Sequence, residues 1–105
     1  MEINVKKLDG CTEVSLVGML DSSSSSRFNS LVEELLSDGS TDVVLALGEL
    51  EYISSRGLRQ ILSLMKGVNA AGGTLVFKDV KPAVMDVFRM TGLNRVMTFS
   101  QSAEQ

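Results

Sequence analysis

Five apolar residues in unbroken succession, Val43-Val44-Leu45-Ala46-Leu47, constrain the fold more than any other feature of this chain. A run this short reads as an extended strand, and without polar alternation it reads as a central strand covered on both faces. Before it lie two alternating stretches, residues 2–8 and 12–17, joined through Asp9-Gly10. That dipeptide between alternating runs signals a tight hairpin, so the first two strands should pair antiparallel.

Around the central run the apolar spacing becomes helical three times. Phe28, Leu31, Val32 and Leu35 form the first stripe, with Arg27, Glu33 and Glu34 outside and Asp38-Gly39 at its end. The serines at 22–26 before it would suit a linker, but the stripe that follows makes them an extended capping region. The second stripe, after Ser54-Ser55, is Leu58, Ile61, Leu62, Met65 and Val68, with Arg56, Arg59, Ser63 and Lys66 opposite. Ala71-Gly72-Gly73 breaks that helix before a short strand at 74–77. Pro82 suits the first turn of a third helix with Val84, Val87 and Phe88 inward, and Gly92-Leu93 supplies a left-handed ending. Met85 and Met90 flank that stripe, either as fillers of the core margin or as adaptable contact residues. Residues 96–99 read as a last edge strand and 100–105 as a polar tail expected to fray. The fold class is therefore α/β: one domain over 1–105, with a mixed sheet of four or five strands packed with three main helices.

Composition excludes several kinds of chemistry. There is no histidine and one cysteine, Cys11, so a zinc site, an intramolecular disulfide and Ser-His or Cys-His nucleophile pairs are all excluded. Cys11 reads as a small strand residue; as a redox sensor it would lack a close basic neighbour. Gly72-Gly73 is a turn, because a phosphate-binding loop needs its glycines between a strand and the start of a helix. Thirteen acidic against ten basic residues leave no excess positive charge for a nucleic-acid backbone. No apolar run approaches the roughly 20 residues that span a bilayer, and the first residues form an alternating strand without a signal peptide's apolar centre. No membrane insertion, a cytoplasmic location and no cofactor are the expectations.

What remains is Tyr52-Ile53-Ser54-Ser55-Arg56-Gly57-Leu58, where the central strand hands over to the second helix near Ser55. Amide groups at a helix start lack partners within the helix, and the aligned peptide dipoles favour negative charge there. A serine at that point can cap the helix or carry a phosphate.

With its surroundings this stretch resembles the STAS domain, the module of anti-sigma factor antagonists. Gly18-Met19-Leu20-Asp21, Leu50-Glu51-Tyr52-Ile53, Ala71-Gly72-Gly73-Thr74-Leu75 and Thr91-Gly92-Leu93 match its pattern in order and cover nearly the whole chain. The resemblance implies that Ser55 is the phosphate acceptor, with Ser54 the second choice. It implies a binding module, not an enzyme, that docks on a serine-kinase anti-sigma factor through Asp21, Ser54, Ser55, Arg56, Arg59 and Ser63. A serine phosphatase would restore the unmodified form, and ATP and magnesium would belong to the kinase. Asp21 can equally be a turn residue at a strand end. Arg56 stands where the family often has a small residue, and Ala46 where many members carry an aspartate near the strand end. Both departures suit a rival reading: a constitutive adaptor in a signalling scaffold or transporter ATPase complex, with Ser55 unmodified. A Ser54 or Ser55 nucleophile would need a Lys or Asp base, and Lys66 lies about three helical turns away.

Overall fold

In a computed structural model of the chain, residues 2–8, 10–21, 23–37 and 42–99 are described. The 100–105 tail and the Asp38-Gly39 stop lie outside these residues. Strand β1 (Glu2–Leu8) and β2 (Cys11–Leu20) form the expected antiparallel hairpin, with Leu8 paired to Cys11. Helix α1 (Ser25–Ser37) then leads to β3 (Asp42–Ile53), α2 (Ser55–Ala70), β4 (Thr74–Lys78) and α3 (Pro82–Thr91). A 3-10 turn, Leu93–Arg95, connects α3 to β5 (Thr98–Phe99). The sheet has five strands in the order β1-β2-β3-β4-β5, antiparallel at β1/β2 and parallel elsewhere. This is the mixed sheet with three helices that the spacing predicts.

The central strand departs from expectation in two ways. Val43, Leu45 and Leu47 are buried, whereas Val44 and Ala46 on the opposite face are only half-buried. Only one face of β3 is therefore sealed by helices. Over the other, Lys78 on β4 reaches Glu13 on β2 at 3.1 Å, spanning the strand between them. The aliphatic stems of such long side chains shelter Val44 and Ala46, so a fully apolar run persists without a second helical layer. The strand also does not stop at Leu47. Its pairing with β2 shifts register between Ser15 and Val17 and again between Gly18 and Met19, and β3 continues to Ile53. Gly48-Glu49-Leu50, beyond the apolar run, lies within this bulged strand. Each bulge inserts a residue and disrupts the two-residue period, which hides the strand's continuation from pattern reading.

The core lies between the sealed face and the helices. Phe28, Val32 and Leu35 of α1, Ile61, Leu64 and Val68 of α2, and Val84 and Phe88 of α3 meet Val14, Leu16, Leu20, Leu45, Leu47 and Phe77 there. Phe77 and Phe88 pack edge to face, with ring centres 6.1 Å apart. Burying each such side chain contributes about 2 kcal/mol. The second stripe needs correction. Leu64 is buried, whereas Leu62 is half-buried and stands outside the core cluster; Leu58 and Met65 flank it. At 100° per residue Leu64 is centred among Gly57, Ile61 and Val68, while Leu62 turns toward the outer side.

Gly92 caps α3 in the left-handed conformation, φ 77°, its N–H donating to the Arg89 carbonyl. Of the two flanking methionines, Met85 packs on the core margin and Met90 is 85% exposed. Val96 closes the 3-10 turn with its N–H on the Leu93 carbonyl, so the last strand starts at Thr98 and not at 96. No helix among the described residues is long and apolar enough to cross a membrane.

Candidate functional site

The C-terminal ends of β2 and β3 bring Asp21, Ser54 and Ser55 together. Leu20 pairs with Ile53, and the Ser54 N–H donates to the Leu20 carbonyl at 2.8 Å, so the Leu20-Asp21 peptide lies beside the first residue after β3. Ser54 is the N-cap of α2. Its backbone is extended, its Oγ accepts from the Gly57 N–H at 3.1 Å, and its carbonyl accepts the helix's opening bond from Leu58. This satisfies one of the amides that a helix start leaves without partners.

Ser55 is the first helical residue and is exposed, whereas Ser54 is half-buried. The two hydroxyls therefore have different situations. One is engaged by the helix it caps, and the other faces solvent where the helix dipole favours an anion.

Gly57 explains why this corner is tight. A Cβ there would stand 2.8 Å from both Leu20 Cγ and the Leu20 carbonyl oxygen, and 3.1 Å from Ile53 Cγ1. Only a residue without a side chain lets the first turn of α2 sit directly on the ends of β2 and β3.

Asp21 organises the entry to α1. Its Oδ1 accepts from the Ser23 N–H at 3.0 Å, the Ser23 hydroxyl at 2.7 Å and the Ser24 N–H at 3.2 Å. The Ser24 hydroxyl accepts from the Asp21 N–H at 2.9 Å and lies 3.0 Å from the Met19 carbonyl, while the Ser24 carbonyl accepts from the Phe28 N–H. The Ser23 hydroxyl, above all, holds the Asp21 carboxyl below its ordinary pKa; desolvation opposes it, and the Ser24 and Ser23 amides and the Ser24 hydroxyl add to the lowering. Ser24 opens α1 through its carbonyl, whereas the Ser23 and Ser24 hydroxyls are engaged by the turn at Asp21 and Met19 and not by α1 amides. Asp21 fills the turn role while remaining half-exposed beside Ser54.

Arg56, Arg59 and Ser63 are all exposed on α2. Ser55, Arg59 and Ser63 follow one another at i, i+4 and i+8, so they form one outward row, with Arg56 to its side. Ala46 lies elsewhere. It sits mid-strand on the open face, eight residues before Ser54, roughly 25 Å along β3 at about 3.3 Å per residue. Its lack of charge has no direct bearing on the serines.

Two exposed residues that sequence reasoning passed over lie on the same strand ends, alternating with core-facing Leu20 and Ile53. Met19 pairs with Tyr52, and they are 53% and 52% exposed. They form an apolar couple one residue before Leu20-Asp21 and two before Ser54. Each falls within a motif quoted for the family resemblance, but only the cross-strand register shows that they are neighbours. Large apolar residues exposed together beside polar groups are suited to a protein interface. Among the described residues no group of three His, Cys, Asp or Glu side chains could hold a metal ion.

A family model of the STAS domain matches residues 2–105. BtrV of Bordetella bronchiseptica is 33% identical over 104 residues, covering 99% of this chain and 90% of the relative. The anti-sigma F factor antagonist of Paenibacillus polymyxa is 31% identical over 98 residues, covering 92% of this chain and 84% of that protein. The solved structure of the Bacillus cell fate determinant SpoIIAA in its phosphorylated form is similar with a TM-score of 0.76 at 19% identity, covering 94% of this chain and 91% of that one. At that identity the structural likeness concerns the fold.

Proposed function

The chain belongs to the STAS domain family, and from that premise we propose that it is an anti-sigma factor antagonist whose capture of a serine-kinase anti-sigma factor is switched off by phosphorylation of Ser55. The observation that carries this reading is the division of labour between the two serines. Ser54 is committed to the Gly57 amide, which leaves Ser55 as the exposed hydroxyl at the same helix start. A kinase needs a hydroxyl it can reach, and an added phosphate needs a place where its charge is tolerated; Ser55 offers both. The names of the relatives support the antagonist role.

In this mechanism the surface formed by Asp21, Ser55 and the outer row of α2 docks on the kinase and frees its sigma factor. The kinase then transfers the γ-phosphoryl group of ATP to the Ser55 hydroxyl, releasing ADP and a proton, and the modified chain dissociates. A serine phosphatase would hydrolyse the ester and restore binding. The chain acts as a binding module in the cytoplasm, with no chemistry of its own. The constitutive-adaptor reading loses its argument from Ala46, which lies far from the serines.

Reconstitution tests the proposal. Mixed with the host's serine-kinase anti-sigma factor bound to its sigma factor, the unmodified chain is expected to displace sigma. Adding ATP should reverse this for wild type but not for Ser55→Ala. A chain that binds the kinase equally with and without ATP would favour the adaptor, and a chain that binds no such kinase would end the proposal.

A further inference from the structure

Helix α2 carries the sequence Ser-Arg-Gly-Leu-Arg-Gln-Ile-Leu-Ser-Leu-Met-Lys-Gly-Val-Asn-Ala, with three cations and no acid, in a chain whose net charge is −3. Arg56, Arg59 and Lys66 are exposed and make no ion pair among the described residues. The contrast with α3 is direct, because there Arg89 is paired with Asp86. A helix start disfavours nearby cations, so Arg56 and Arg59 in the first turns contribute nothing favourable to the helix itself. Half-buried Leu62 stands between Arg59 and Lys66 on the same side and supplies an apolar contact within this basic row. Basic side chains around apolar contacts match a protein surface with acidic groups around an apolar patch.

We propose that the outer row of α2 docks on an acidic surface of its protein partner, and that Arg59 is shared: it pairs with the partner when Ser55 is free and with the phosphate when Ser55 is modified. The inference rests on the reading of Ser55 above. Ser55 and Arg59 are one helical turn apart, with Cβ atoms about 5–6 Å from each other, within reach of a charge-assisted bond between a phosphate and a guanidinium. Phosphorylation then acts twice: it adds a negative charge that the partner repels, and it occupies the cation that the partner uses.

The test is a set of affinities for the serine-kinase anti-sigma factor at low and moderate salt, using wild type, Arg59→Gln, Arg89→Gln, Ser55→Glu and Ser55→Glu/Arg59→Gln. All replaced side chains are exposed, and circular dichroism verifies folding. Arg59→Gln is expected to weaken binding about tenfold and to flatten its salt dependence. Arg89→Gln, which removes the same charge from another face, should stay within about twofold. Ser55→Glu should cost about a hundredfold in wild type but only about tenfold in the Arg59→Gln background. Equal affinities for Arg59→Gln and wild type, or equal losses for Arg59→Gln and Arg89→Gln, would overturn the acidic-partner assignment. A full hundredfold cost of Ser55→Glu in both backgrounds would overturn the shared cation. If Ser55→Glu binds like wild type while Arg59→Gln still loses affinity, the switch at Ser55 fails, and the shared cation with it, while the acidic docking face stands. If wild type binds no such kinase, both fall together.

Discussion

Ser55→Glu is expected to bind the serine-kinase anti-sigma factor roughly a hundredfold more weakly than wild type, a loss on the order of 3 kcal/mol, while melting close to it. The two halves of that expectation have different physical origins. Within the chain the new carboxylate stands at the first position of α2, exposed, where the dipole favours it, and Arg56 and Arg59 lie nearby. The fold therefore has no reason to weaken. Against a partner arranged for a neutral hydroxyl, the carboxylate must lose its water and meet like charge. Isothermal titration and thermal unfolding check the pair of outcomes. Wild-type affinity in this variant would remove Ser55 from the interface.

Gly57→Ala should destabilise the fold by about 2 kcal/mol net in chemical denaturation. Alanine in place of glycine ordinarily favours a helix by about 1 kcal/mol. Here, however, the added methyl would meet the Leu20 carbonyl oxygen at 2.8 Å, and that is backbone that cannot rotate away. The same carbonyl receives the Ser54 N–H, so relieving the overlap strains the link between β2 and α2. Overpacking of this kind costs typically about 1–3 kcal/mol and occasionally more, and at this corner it outweighs the gain in helix propensity. Kinase binding should weaken as well, because Ser55 is carried on the turn that moves. A stabilised Gly57→Ala would show that α2 does not rest on the strand ends as described.

Local chemistry makes much of this legible in the sequence. The handover to α2 at Ser54-Ser55 can be read because hydroxyls at a helix start answer a local need. The Asp9-Gly10 hairpin signal and the Gly92 cap are equally local: each depends on a backbone geometry that few residues tolerate. The parts that escape depend on register across the sheet. Two bulges extend β3 through Gly48-Glu49-Leu50, and a bulge is defined by the partner strand, which a single sequence does not display. The exposed Met19-Tyr52 couple follows from that same shifted register. Ala46 reads as close to the serines only if the strand ends at Leu47; seven further strand residues separate it from Ser54. The exchange of Leu62 for Leu64 in the core of α2 has another cause. Leu58, Ile61, Leu62, Leu64 and Met65 crowd so many large apolar side chains into two turns that several rotations of the helix fit the spacing, and docking on the sheet chooses among them.

The division between the two serines is the central claim, and site mapping of phosphate tests it most directly. After incubation with the host's serine-kinase anti-sigma factor and ATP, tandem mass spectrometry of the digested chain is expected to place the phosphate on Ser55, in wild type and Ser54→Ala alike, and nowhere in Ser55→Ala. Phosphate on Ser54 or confined to the 22–26 serines, with Ser55 unmodified, would contradict the account.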